Sequence, residues 1–207
     1  MVDEIIKYFP DLSDLQIEKI SGLKKLYMEW NRKINVISRK DMDNFNIHHL
    51  LHSMAIAKVF SFVPGSSILD AGTGGGFPGI PLSILFPDSE FTLLDSIEKK
   101  MKVVNAVSKE LTLNNVRTVR SRIEEHKGKY DFIVCRAVTT FPEFVRMTSK
   151  NIHNTNKNNI KNGIIYLKGG NLTDELSQYR HNIKVWDIKD FFTESFFETK
   201  RIVYLPI

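Results

Sequence analysis

Apolar positions along the chain follow two different rhythms. From Ser13 to about Phe60 they recur every three or four residues: Leu15, Ile17, Ile20, Leu23, Leu26, Tyr27 and Trp30 form one series, and Leu50, Leu51, Met54, Ile56, Ala57 and Phe60 a second. That spacing puts one apolar stripe on each of two amphipathic helices, with Trp30 in register with the buried face. Between them, WNRKINVISRKDMDNFNIHH is polar and basic with scattered aromatics and predicts a turn or irregular link. After Pro64-Gly65 short apolar runs alternate with helical ones. SSILDAG, EFTLLDS, VRTVRSRI, YDFIVCRAV, GIIYLKGG, KVWDIKDFF and KRIVYLPI read as strands, and helices fall near 79–86, IEKKMKVVNAVSKELTL, PEFVRMTSKNI and TDELSQYRHN. Such alternation predicts an α/β fold with a mostly parallel seven-stranded sheet covered on both faces.

KVWDIKDFF and KRIVYLPI are separated only by TESFFET, too short for a crossover helix, so the last two strands are expected to be antiparallel neighbours. NIHNTNKNNIKN has no periodicity and reads as a solvated loop. The pattern divides the chain into an N-terminal helical extension, 1–62, packed on a core domain, 63–207. At 207 residues, one hydrophobic core is the expectation.

Composition narrows the function classes. MVDEIIKYF lacks a basic segment followed by an apolar stretch, and no apolar run approaches a membrane span, which predicts a soluble cytoplasmic protein. A single cysteine, Cys135, excludes an internal disulfide and a Cys-rich zinc site, and no His-Glu or His-Cys set has metal-ligand spacing, so no metal is expected. Cys135 itself lies within an apolar strand and reads as a buried packing residue. The net charge of +5 is spread over several segments; it suits a polyanionic partner as well as a plainly solvated basic surface. With no sustained heptad or long apolar stripe left over, a monomer is expected.

The candidate chemistry sits in LDAGTGGGFPGIPL, residues 69–82. Its 74–79 portion satisfies G-x-G-x-x-G by letter, but counting from the end of the strand gives Gly72-x-Gly74-x-x-Phe77, without the third Gly. Pro78 also removes a donor where a pyrophosphate would need one. The better description is D-x-G-x-G-x-G from Asp70 to Gly76: an acid at the strand tip followed by Gly at alternate positions. An acid there disfavours a phosphate and favours a ligand such as S-adenosylmethionine, although Asp70 could instead simply cap the turn. EFTLLDS ends in Asp95, 25 residues after Asp70, where a carboxylate can accept two ribose hydroxyls.

DAGTGGGFPGIPL, followed by LLDSIEKKMKVV, SRIEE and CRAV, resembles the RsmG/GidB family of 16S ribosomal RNA guanine-N7 methyltransferases. WNRKIN, HHLLHS and YLKGG extend the likeness over most of the chain. The resemblance implies a class I S-adenosylmethionine-dependent methyltransferase with a Rossmann-like sheet, acting on N7 of one guanosine in small-subunit rRNA. It places cofactor contacts on Gly72, Phe77, Ile123, Glu124 and Arg136, to which the loop reading adds Gly74 and Asp95. Ile123 and Glu124 would flank the adenine, and Arg136 would stand beside the methyl-transfer site. Each has a plainer alternative: Phe77 as core, Ile123 as a strand end, Arg136 as a surface ion pair.

Guanine N7 offers a free lone pair on its Hoogsteen edge, so methyl transfer to it needs no general base and none is assigned; Arg136 is the one residue given a positioning role in catalysis. Presenting a base from folded RNA calls for Lys, Arg and aromatic contacts, for which Arg32, Lys33, Arg39, Lys40 and Lys168 are candidates alongside Arg136. Asn31 and Asn35 are expected to brace the link through backbone hydrogen bonds. His49 keeps the family's His, whereas His52 stands where the family usually has Asp, and Ile37 where it usually has Thr. Two rivals remain open: a nicotinamide-dependent oxidoreductase, suggested by the displaced glycine match, and a non-catalytic rRNA-binding assembly factor. A membrane or DNA partner is not expected.

Overall fold

The computed structural model describes residues 2–136 and 138–207. Seven strands, β1 (Ser67–Ala71), β2 (Glu90–Asp95), β3 (Val116–Arg120), β4 (Phe132–Arg136), β5 (Gly163–Gly169), β6 (Lys184–Asp187) and β7 (Lys200–Pro206), form one sheet in the order β3-β2-β1-β4-β5-β7-β6. β1 to β5 are parallel, and β7 runs antiparallel to both of its neighbours. The short connection between β6 and β7 thus produces the expected reversal, with β7 inserted between β5 and β6. Strand order reverses between β1 and β4, which brings the loops after those two strands together at one edge of the crevice.

Both faces of the sheet are buried, and successive strand residues divide between them. Ile68, Leu93, Phe132, Val134, Ile165, Leu167, Ile202 and Tyr204 enter one apolar cluster; Leu69, Leu94, Ile133, Cys135, Ile164, Tyr166, Val203 and Leu205 enter the other. The second is closed by Phe141, Phe144 and Val145 of α6 (Phe141–Thr148) and Leu176 of α7 (Thr173–Leu176). The first is closed by α4 (Gly79–Leu85), α5 (Glu98–Glu110) and the N-terminal helices. Cys135 is fully buried, and desolvation pushes its thiol well above the usual range, as suits a packing residue.

Among the N-terminal elements, α2 (Asp14–Asn31) begins with a capping box in which Ser13 and Gln16 bond each other's backbone N–H groups. Gln16 Nε2 also donates to the carbonyls of Ile84 and Leu85 at 3.0 and 3.2 Å, joining the start of α2 to the end of α4. Ile20, Leu23 and Tyr27 are buried; Trp30 packs against the same cluster while partly exposed. A short α1 (Asp3–Tyr8), which the apolar pattern does not predict, buries Ile5.

Two segments depart from expectation. The link after α2 is partly ordered: Arg39–Asp41 is a 3-10 turn, and Asn46–Leu51 is a π-helix running through α3 (His52–Met54) into a 3-10 turn, Ala55–Lys58. Asn31 braces its start, accepting from the N–H groups of Val36 and Ile37 at 2.8 and 3.0 Å and donating to Ile37 O at 2.6 Å; Asn35 is exposed. The Asn-rich stretch after α6 is not simply solvated. Asn151, Asn158 and Asn162 are buried, and their amides bond backbone of flanking segments, as in Asn162 Nδ2 to His153 O and Thr155 O at 3.0 and 2.8 Å. Side-chain amides here satisfy backbone groups that no strand or helix pairs.

Candidate functional site

The glycine loop leaves β1 at the carboxyl edge of the sheet, where both Gly72 and Thr73 donate to Leu94 O, at 2.8 and 2.9 Å. Gly72, Gly74 and Gly76 all have positive φ, at 75°, 59° and 98°. These are left-handed conformations that explain the alternate glycines, since other residues adopt them only with strain. The sides of the loop differ. A Cβ on Gly72 would lie 2.6 Å from Val138 and one on Gly76 2.8 Å from the Tyr27 hydroxyl, whereas one on Gly74 would meet nothing within 4 Å. The backbone at Gly74 is therefore the open face.

Asp70 does not face that opening. Its side chain is fully buried behind the loop, where Oδ2 accepts from Thr73 Oγ1 at 2.5 Å and from Gly79 N–H at 2.7 Å. Asp70 is thus the turn-capping acid, and the electrostatic selection against phosphate expected of it is not its role. Burial pushes its pKa up to about 7, against the opposing pull of those two donors and of Arg136. Asp95 is the carboxylate beside the open side, with Lys100 Nζ 3.9 Å from its Oδ2. Oδ2 accepts from Gly74 N–H at 3.0 Å and Oδ1 from Ile97 N–H at 2.9 Å, so each oxygen is held in place with lone-pair capacity left over.

The N-terminal extension closes the back of the loop. Tyr27 donates to Gly75 O at 2.5 Å. Phe77 is buried among Tyr27, Phe45 and His49, with ring centroids 5.0, 5.9 and 5.2 Å away, so its ring is core. Arg136, at the tip of β4, lies over that ring with Cζ 5.1 Å from the centroid. Its guanidinium donates to His48 O at 2.9 Å and meets His49 Nδ1 at 3.0 Å; Asp41 bonds both His48 Nδ1 (2.5 Å) and His49 Nε2 (2.6 Å). Burial lowers the Arg136 pKa to about 10, countered by the Asp70 and Asp41 carboxylates, and the group stays cationic. Arg136 is thus part of an internal network rather than a surface ion pair.

A family model described as rRNA small subunit methyltransferase G matches residues 16–204. The chain belongs to that family. It is 56% identical over 201 residues to a protein of Christiangramia forsetii named ribosomal RNA small subunit methyltransferase G, covering 97% of this chain and 95% of the other. A relative of the same name from Flavobacterium psychrophilum is 53% identical over 206 residues, covering 100% and 98%. Solved methyltransferases share the fold at low identity. A SAM-dependent enzyme of Aquifex aeolicus has a TM-score of 0.57 at 18% identity, over 80% of this chain and 95% of that one. A precorrin-6y C5,15-methyltransferase of Geobacter metallireducens has a TM-score of 0.56 at 11%, over 84% and 92%. The fold is that of a class I methyltransferase.

Within this rRNA methyltransferase G framework, Ile123 and Glu124 lie in a 3-10 turn just beyond β3, Ile123 half-buried and Glu124 exposed. Glu124 O accepts from Lys150. Gly72, Gly74 and Asp95 are brought together; Arg136 and Phe77 form a second group at the back of the loop. His52 is buried with its edges against Phe196 and Phe197, and desolvation holds it well below the usual His pKa, so it packs as a neutral ring. Ile37 is likewise core.

Of the basic candidates, Arg32, Lys33, Arg39 and Lys40 are exposed, and Arg32 and Arg39 line a cleft of about 400 Å³ with Met28, Asn31 and Met42. Lys168 differs: it is paired with Glu175 and donates to Thr139 O at 3.1 Å, so its ammonium is committed within the fold. Sequence pattern missed Asp41, His48 and Tyr27 as parts of the site: Tyr27 and the His48 carbonyl meet Gly75 and Arg136 across long stretches of chain, and Asp41 reaches the two histidines, seven and eight residues on, only through the irregular π-turn. Among the described residues, no cluster of three or more His, Cys, Asp or Glu could hold a metal ion, and no helix is long and apolar enough to cross a membrane.

Proposed function

We propose that this protein transfers a methyl group from S-adenosylmethionine to N7 of a guanosine in 16S rRNA of the small ribosomal subunit. The observation that carries the reading is the loop of Gly72, Gly74 and Gly76, open at Gly74 beside the braced Asp95 carboxylate, in a chain of the rRNA small subunit methyltransferase G family. The cradle fits the cofactor by its chemistry: an exposed backbone edge without a side chain, next to a carboxylate with free lone pairs for ribose hydroxyls. Gly72, Gly74, Asp95, Ile123 and Glu124 would hold it, with Arg136 and the Phe77 backbone at the methyl-donor end. The bound cofactor supplies an electrophilic methyl on a sulfonium.

The protein's own residues orient and exclude. N7 carries its lone pair in the ground state, so no side chain has to remove a proton before the new bond forms. Alignment alone can supply roughly 7–11 kcal/mol of barrier lowering. Arg136 is cationic and acceptor-free, so it can donate to an oxygen of base or cofactor but cannot act as a base. The exposed Arg32, Lys33, Arg39 and Lys40 are suited to RNA phosphates, and the cleft at Arg32 and Arg39 places two of them around one concave site.

Labelled S-adenosylmethionine with small subunits, and separately with naked rRNA, tests the reading when the product is mapped by chemical cleavage at N7-methylguanosine. Label at guanine N7 is expected; label on cytosine or adenine would sink the assignment. Binding of RNA and cofactor without turnover would instead indicate an assembly factor.

A further inference from the structure

Arg136 is held by residues from a different part of the chain, 87 and 88 positions away in sequence. Its guanidinium has five N–H donors and no acceptor. At the 3.0 Å contact, His49 Nδ1 must therefore present a lone pair. The ring proton is then on Nε2, which is the nitrogen that Asp41 Oδ2 faces at 2.6 Å. One carboxylate thus selects the tautomer that lets a neutral imidazole receive an arginine. The second Asp41 oxygen takes His48 Nδ1 at 2.5 Å, and the His48 ring is fixed by stacking on Phe196 at 3.9 Å. His48 O receives the other terminal nitrogen of Arg136 at 2.9 Å. Two bonds at fixed separation define both the position and the plane of the guanidinium, and both lead back to Asp41.

We propose that Asp41 and His49 are positioning residues for methyl transfer: Asp41 holds His49 as the Nε2–H tautomer, and His49 with the His48 carbonyl aims Arg136 at the reacting centre. This rests on the reading of Arg136 as a residue of the methyl-transfer site. The groups facing His49 are Asp41, His48 and Arg136, with His52 one turn further along. Burial and the Arg136 charge lower the His49 pKa to about 4 despite Asp41, which keeps the ring neutral at physiological pH.

Two measurements test it. Side-chain ¹⁵N NMR of the wild-type protein should show His49 neutral and protonated on Nε2 at pH 7, with Asp41→Ala moving the signal toward a tautomer mixture. A wild-type His49 that is cationic or protonated on Nδ1 would overturn the proposal without any variant. The second is a double-mutant cycle in kcat. Asp41→Ala and His49→Asn should each lower kcat by about 10- to 100-fold, within the range that misplacement of a reacting group costs. KM for RNA should change little, and any loss of affinity for S-adenosylhomocysteine should not exceed that of Arg136→Ala. In an Arg136→Ala background neither substitution should lower kcat further. Additive losses would mean that the pair acts independently of Arg136 and would overturn the proposal. Unchanged turnover in Arg136→Ala alone would instead remove Arg136 from the site, which is a failure of the underlying reading and is seen separately.

Discussion

Replacing Asp70 by Asn removes a carboxylate whose proton affinity the fold has raised, from 3.8 to about 7. A group that binds its proton more tightly in the folded state stabilises most below its unfolded pKa. That contribution is lost as pH rises through about 4 to 7 and is constant above. Asp70→Asn should therefore gain stability relative to wild type between about pH 4.5 and 7.5, by at most roughly 4 kcal/mol in urea unfolding. His52 works in the opposite sense: it is neutral in the fold, so its contribution is complete above pH 6.5 and falls as the solution is acidified. His52→Leu should accordingly retain more of its stability at pH 5 than wild type, measured by thermal melting. At Gly72, any side chain meets both a positive φ and Val138. Gly72→Leu should cost about 1–3 kcal/mol of backbone strain and abolish measurable S-adenosylhomocysteine binding in calorimetry. Glycine spacing made that position legible in the sequence. Asp70 was legible as a strand-tip acid but not in its orientation, because chain order does not tell which side of a turn a carboxylate faces.

The strands and the longer helices could be read from the sequence because burial imposes a period. Apolar residues of the inner strands alternate between the two clusters, and α5 and α2 keep an apolar stripe. The irregular elements could not. The π-turn at Asn46–Leu51 buries His49, leaves His48 half-exposed and still brings both rings to the one Asp41 carboxylate, in a way that no standard period describes. Buried Asn158 and Asn162 are polar by type and structural by placement, so polarity alone misassigned their loop. Asn162→Ala should destabilise by about 1–3 kcal/mol, since it removes both bonds that the buried Asn162 amide makes to the His153 and Thr155 carbonyls; urea unfolding checks this. The 39–41 turn carries Arg39 and Lys40 outward and Asp41 toward the histidines. Arg32→Ala with Arg39→Ala should raise KM for RNA and lower the salt dependence of binding by about one counterion for each phosphate left without its arginine, with kcat and cofactor affinity unchanged. An unaltered salt slope would place the RNA elsewhere.

At the scale of the molecule, the extension and the sheet share one apolar cluster, in which Tyr27 and Phe45 pack directly on Phe77 of the glycine loop. The alternation of elements indicated the α/β core, but the dependence of the loop on α2 follows only from packing. Tyr27→Phe should test it, because loss of the bond to Gly75 O leaves a buried carbonyl unpaired. The expected result is a fall in S-adenosylhomocysteine affinity larger than the change in melting temperature would explain.

The insertion of β7 between β5 and β6 also sets an order of events during synthesis. β2 to β5 can each find a partner among strands already made, but β6 pairs with β7 alone. A nascent chain that has reached Asp187 therefore carries an unpaired strand and, on β5, an open sheet edge until residues 200–206 emerge. Unpaired edges of this kind are sites where growing chains associate. A chain that stops after Asp187 should therefore aggregate more than the full chain, as read by light scattering at matched concentration.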